Sequence, residues 1–143
     1  MRIAIVEDEI VYMNQLKSFL LNHKMGNQFE IEEYKRGTDF LLSQNKYDIA
    51  FLDIELGDLL GVDLAVELRK KDENVIIIFT TSHTNYISDA FKSMPFQYLL
   101  KPIKIELLHK ELDRAIQNNI LATKKMGINW NNKKYSVLVK DII

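Results

Sequence analysis

Four places in this 143-residue chain bring together side chains that could do chemistry, and each follows a short apolar run. Glu7-Asp8 follow "RIAIV", Asp53 closes "YDIAFLD", Thr80, Thr81 and Ser82 close "VIIIFTTS", and Lys101-Pro102 follow "FQYLL". Taken alone, Asp53 reads as a polar residue of the kind that ends any strand. Taken together the residue types are more informative. Three clustered carboxylates repel one another and hold raised pKa values unless a cation shares the site. Oxygen ligands with few dedicated protein groups suit Mg²⁺, or Mn²⁺, which keeps waters and often bridges to phosphate. A lysine opposite the acids supplies a point charge for a phosphoryl oxygen, and a threonine hydroxyl supplies a further donor. This is a constellation for phosphoryl transfer, in which positioning and charge do most of the work. A carboxylate in it can also be the nucleophile and form an aspartyl-phosphate.

The elements that must position these groups follow from periodicity. Arg2–Val6, Gln28–Tyr34, the Tyr47–Leu52 run, Val75–Thr80 and Phe96–Leu100 read as five strands. The second alternates Phe29 and Ile31 with Glu30 and Glu32, as an edge strand with one wet face does. The fourth is apolar on both faces and therefore buried. Between and after them, helical spacing joins Val11, Leu16, Phe19 and Leu20, then Val62, Leu64, Ala65, Val66 and Leu68, then Ile105, Leu108, Leu112, Ala115 and Ile116. A short helix begins near Thr38, a plausible N-cap, and another short one ends at Pro95. Strand and helix alternate five times, which predicts an α/β fold: a five-stranded, doubly wound parallel sheet with right-handed crossovers. In such sheets ligands bind outside the carboxyl ends of the strands, where the acids, hydroxyls and lysine fall. After about residue 119 the rhythm breaks, and "INWNNKKYSVLV" reads as two short strands around Asn131-Asn132.

Composition narrows the function. There is no cysteine, so disulfides, thiolate metal sites and cysteine nucleophiles are excluded. His23, His83 and His109 are scattered without the spacing of a zinc site. No run has membrane-spanning length, and a soluble, cytoplasmic protein is expected. The net charge of −1 is uneven, with residues 123–143 at +4 and the remainder at −5. An acidic body is a poor nucleic-acid binder and a good host for a cation.

With these residues in view, the chain resembles a response-regulator receiver (CheY-like) domain. The matching pieces are "IAIVEDE", "DIAFLDIELGDLLGVDLA", "VIIIFTTSH" and "FQYLLKPI", covering residues 1–120 in the family's order and spacing. Asp53 lies 45 residues after Asp8, Thr81 another 28 on, and Lys101 a further 20. The resemblance implies strand order 2-1-3-4-5 and assigns roles. Asp53 would be the phosphoacceptor. Asp8 and Asp53 would ligate Mg²⁺ directly, Glu7 through water, and Glu55 through its backbone carbonyl. Thr81, Ser82 and Lys101 would hold the phosphoryl group, with a cis bond before Pro102. Thr81 and Tyr98 would be the switch pair. Two departures stand out: Gly57 occupies a position where the family commonly has proline, implying a more mobile loop, and Met94-Pro95 replaces a small residue, clipping the fourth helix. "INWNNKKYSVLVKDII" is similar to the opening of a LytTR-type DNA-binding domain, so residues 121–143 would be a linker and the start of that domain. The implied partners are a sensor histidine kinase, DNA through the C-terminal domain, and a second copy on phosphorylation, with no membrane. The implied function is a phosphorylation-dependent transcriptional switch of a two-component system, not an enzyme. Two alternatives compete: a receiver that dimerises without phosphate, and a haloacid-dehalogenase-type phosphatase. The latter wants a second Asp two residues after the first, where this chain has Glu55.

Overall fold

The computed structural model describes residues 1–131, with side chains through residue 120. It comprises two compact units, Met1–Glu111 and one that begins at Leu112. In the first, strands β1 (Arg2–Val6), β2 (Glu30–Tyr34), β3 (Ile49–Asp53), β4 (Ile76–Thr81) and β5 (Gln97–Leu100) form one all-parallel sheet in the order β2-β1-β3-β4-β5. Helices α1 (Ile10–Leu21), α2 (Gly37–Leu42), α3 (Gly61–Lys71) and α4 (Ile87–Ala90) connect them, and α5 (Ile105–Asn131) follows β5. The doubly wound fold and its strand order are as the sequence implied. In the second unit the described residues belong to the continuation of α5.

Strand alternation divides the core. Ala4, Val6, Ala50, Leu52, Ile77 and Phe79 cluster with Phe40 of α2, Val62, Leu64 and Ala65 of α3, and Ala90 of α4. Their strand neighbours Ile3, Ile5, Ile49, Phe51 and Ile78 are equally buried and point to the opposite face, where α1 contributes Met13, Leu16 and Leu20. Both faces of β3 are therefore covered. Asp53 stands at its carboxyl end.

Local details differ from the sequence reading. Val11, assigned to the apolar stripe of α1, is 72% exposed, and Met13 takes the buried position. Thr38 is not the N-cap of α2. Arg36 occupies that position without a side-chain cap, and Asp58 satisfies the first amides instead, accepting from Gly37 N at 3.1 Å and Thr38 N at 2.9 Å. Partial desolvation of Asp58 opposes its ionisation, but these amide bonds outweigh it and hold the carboxyl below its usual pKa. The cap thus comes from the loop after β3, 20 residues away, because that loop lies against the start of α2. Helix α5 continues through Asn131, so residues 128–131, read as the first of two extra strands, are helical. The second of those strands lies outside the described residues.

Helix α4 is short, as Met94-Pro95 implied. It passes into a 3₁₀ turn, Phe91–Ser93, and Met94 then adopts a left-handed conformation with φ of 52°. Arg69 of α3 fixes this junction by donating to Ser93 O at 2.8 Å and Met94 O at 3.2 Å, while also reaching Val75 O at 2.7 Å.

Candidate functional site

Glu7, Asp8 and Asp53 each offer an oxygen within 4.8 Å of the others. The parallel register explains this: Val6 pairs with Leu52, so the residues that follow on β1 and β3 emerge side by side. Glu7 and Asp53 are buried and Asp8 is exposed, so the cluster opens to solvent through Asp8. Lys101, at the end of β5, crosses the sheet edge to reach them. Its Nζ donates to Glu7 Oε1 at 2.6 Å and lies 3.5 Å from Asp53 Oδ1. The Lys101–Pro102 bond is cis.

Three carboxylates facing one ammonium leave an excess of negative charge. Burial pushes the Asp53 carboxyl up to about 7, and the neighbouring Glu7 adds to the rise, while Lys101 and the Glu55 amide oppose it. Burial draws Lys101 down, but its bond to Glu7 and the charges of Asp53, Glu7 and Glu9 outweigh burial and leave it above its usual value. The donor set is all oxygen, partly desolvated and short of positive charge, which fits a hard divalent cation. Glu7 is occupied on both oxygens, since Oε2 also accepts the Glu9 amide at 3.1 Å. Asp8 and Asp53 are therefore the carboxylates with freer oxygens.

The remaining expected residues are arranged around this centre, not all in it. Glu55 donates its amide to Asp53 Oδ1 at 3.4 Å and turns its carboxylate outward to His83 Nε2 at 3.0 Å. Thr81 is buried, and its Oγ1 accepts from His83 N at 3.3 Å. Ser82 is exposed. Tyr98 is half-buried near Phe79 and donates its hydroxyl to His83 O at 2.6 Å. Gly57 passes over Asp8: a Cβ there would stand 3.6 Å from Asp8 Oδ2, an ordinary contact.

Two neighbours of the site were not singled out from sequence. Gly61 opens α3 directly under Asp53, so that a Cβ would fall 2.1 Å from Asp53 O, and its amide donates to Ile54 O at 2.7 Å. Tyr12, one helical turn after Asp8, places its ring centroid 4.1 Å from Lys101 Nζ. A glycine at a helix start and an aromatic four residues after an acid were the only signals, and neither is distinctive without the fold.

Comparison with known proteins agrees with this geometry. Residues 3–113 match the response regulator receiver domain. The chain is 36% identical over 134 residues to the transcriptional regulatory protein LytR of Staphylococcus aureus (strain bovine RF122 / ET3-1), covering 92% of this chain and 52% of that one. It is 35% identical over 117 residues to the sensory transduction protein LytR of Staphylococcus haemolyticus, covering 80% and 45%. The chain thus spans about half the length of the curated relatives it matches. Among solved structures, the response regulatory domain of mrkE from Klebsiella pneumoniae superposes with a TM-score of 0.76 at 31% identity, covering 83% of this chain and 98% of that one. The response regulator TrrA of Thermotoga maritima in complex with Mg²⁺-BeF gives 0.70 at 28% identity, covering 80% and 97%. With a family match across most of its length and an acid cluster at the carboxyl ends of β1 and β3, the chain belongs to the response regulator receiver domain family.

Proposed function

We propose that this receiver is a phosphorylation-dependent switch in which Asp53 takes a phosphoryl group from a sensor histidine kinase. The observation that carries this reading is the meeting of Asp53 with Glu7, Asp8 and Lys101 at the carboxyl end of a strand buried on both faces. Asp8 and Asp53 would hold Mg²⁺, with the Glu55 carbonyl as a further ligand and Glu7 contributing through water. The ion, when bound, would neutralise the acid cluster and stabilise charge on the transferring group.

The protein's own groups supply the rest. The Asp53 carboxylate attacks phosphorus in line, the phosphorus–nitrogen bond of the phosphohistidine breaks, and the imidazole leaves with the bonding pair. Lys101, nearly enclosed and already 3.5 Å from Asp53 Oδ1, exchanges that contact for a phosphoryl oxygen. Thr81 and Ser82 would donate to the other oxygens. Thr81 Oγ1 accepts the His83 amide and keeps its own O–H for donation, and His83 O accepts the Tyr98 hydroxyl. The same few residues therefore link Thr81 through His83 to Tyr98, a route for shifting between two local arrangements.

The readout would lie in a LytTR-type DNA-binding domain that begins within residues 121–143, in a cytoplasmic transcriptional regulator like the LytR relatives. Exposed apolar side chains along this stretch, Ile87 on α4, Phe91 in the 3₁₀ turn, Met94 just after it and Leu100 on β5, support pairing of two copies on phosphorylation. Incubation with Mg²⁺ and acetyl phosphate, followed by intact mass, tests the proposal. One added phosphoryl group is expected, lost on omitting Mg²⁺ and in Asp53→Ala. No addition, or addition that survives Asp53→Ala, would overturn it.

A further inference from the structure

The lysine at the centre of the site is held on three sides, and only two of them are acidic. An ammonium carries three N–H donors on a flexible four-carbon stem. Glu7 takes one at 2.6 Å, and Asp53 Oδ1 lies near a second at 3.5 Å. The third side faces the ring of Tyr12, whose centroid is 4.1 Å from Nζ. Lys101 has a side chain only 5% exposed, so this contact is made away from water, where a cation over an aromatic face is worth most. Tyr12 is also well placed to hold its position. It lies on α1, which starts directly after the acid loop, four residues from Asp8, between the buried Met13 and the turn that carries Glu9.

We infer that Tyr12 is a positioning residue for the phosphoryl-transfer site: its ring face confines Lys101 Nζ between Glu7 and Asp53. Without it the ammonium has an open third side, and its strongest bond pulls it toward Glu7. Water reaches it, its attraction for a charge on Asp53 is screened, and its rotamer freedom returns. The ring face makes the contact, so phenylalanine suffices in place of tyrosine and an aliphatic side chain of similar bulk does not. This inference rests on Asp53 being the phosphoacceptor, but the Tyr12–Lys101 contact can be measured separately.

The test uses the full chain with Tyr12→Phe, Tyr12→Leu, and phenylalanine analogues carrying one, two or three ring fluorines at position 12. Fluorination preserves shape while weakening the negative ring face. Two quantities are read: the rate of Asp53 phosphorylation by acetyl phosphate, and the rate of reductive methylation of Lys101, located by peptide mass. Tyr12→Phe is expected to stay within about twofold of the natural protein in both. Tyr12→Leu is expected to slow phosphorylation and to speed methylation of Lys101 about tenfold each. The fluorinated series should fall between them in order of fluorine count. Fluorinated rings that behave like phenylalanine, or a Tyr12→Leu protein equal to the natural one, would overturn the inference. If Tyr12→Leu fails to fold, the fluorinated series decides alone. If no variant, including the natural chain, accepts a phosphoryl group, the proposed function falls, and the methylation series still decides the Tyr12 contact.

Discussion

Asp53 is held in a condition that costs the folded protein stability. Its carboxyl lies 4% exposed beside Glu7, and its pKa of about 7 stands well above the ordinary 3.8. A group raised on folding favours the folded state when protonated. Its contribution is complete below about pH 4 and is lost as pH rises to about 7, beyond which the ionised carboxylate remains a constant cost. Asp53→Asn, which imitates the neutral acid, should therefore raise the unfolding free energy by about 2–4 kcal/mol at pH 8 without divalent cations. The gain should vanish near pH 4. Mg²⁺ should stabilise the natural protein more than the variant, narrowing the difference. Thermal melts across pH with and without Mg²⁺ check this, and a variant no more stable than the natural protein at pH 8 would contradict it. At this scale the sequence was legible where chemistry demands a residue type: Glu7, Asp8, Asp53 and Lys101 meet as their types and strand-end positions implied. It was illegible where a contact depends on orientation. Tyr12 is one of six tyrosines, and only the angle of α1 turns its ring toward Lys101. Thr81, for its part, accepts the His83 amide, a bond that no spacing in the sequence announces.

Among the elements, the loop from Asp53 to α3 carries opposing constraints at its two glycines. Gly61 needs its missing side chain, because a Cβ would meet the Asp53 carbonyl at 2.1 Å and the backbone of Ile54 at 2.8 Å. Gly61→Ala must push α3 off β3 and should cost about 2–4 kcal/mol while displacing Asp53. Gly57 has no positive φ and open space around a Cβ except for Asp8 Oδ2 at 3.6 Å. Gly57→Ala should be tolerated and should stabilise by about 0.4–1 kcal/mol through the unfolded chain. Denaturant melts of the two variants check the contrast; equal effects would contradict it. Strands were the most legible elements, since β3 and β4 are apolar on both faces and their carboxyl ends announce themselves by a change to polar residues. Caps were the least legible. Asp58 caps α2 from a distant loop, and no local pattern around Thr38 reports that. The end of α5 was also misread, because Asn131-Asn132 suits a turn yet the helix runs through Asn131.

At the scale of the whole molecule, β4 and β5 both end at the site, and the exposed apolar residues Ile87, Phe91, Met94 and Leu100 lie along the connection between these strands and on β5. Lys101 N donates to Thr81 O at 2.7 Å, so the two strand ends are tied side by side. Phe91 and Met94 are each 69% exposed. If pairing on phosphorylation uses this face, Phe91→Asp should abolish the phosphodonor-dependent rise in mass seen by sedimentation, while leaving Asp53 labelling within about twofold. Pairing that persists in Phe91→Asp would place the dimer elsewhere. The fold class was fully legible because βα alternation leaves few topologies. The central claim is that Asp53 is the group that carries the phosphoryl. Its most direct measurement is borohydride reduction after treatment with Mg²⁺ and acetyl phosphate, followed by peptide sequencing by mass. Reduction of an acyl phosphate converts aspartate to homoserine. The expected result is homoserine at position 53 and nowhere else; homoserine at Asp8, or none at any acid, would contradict it.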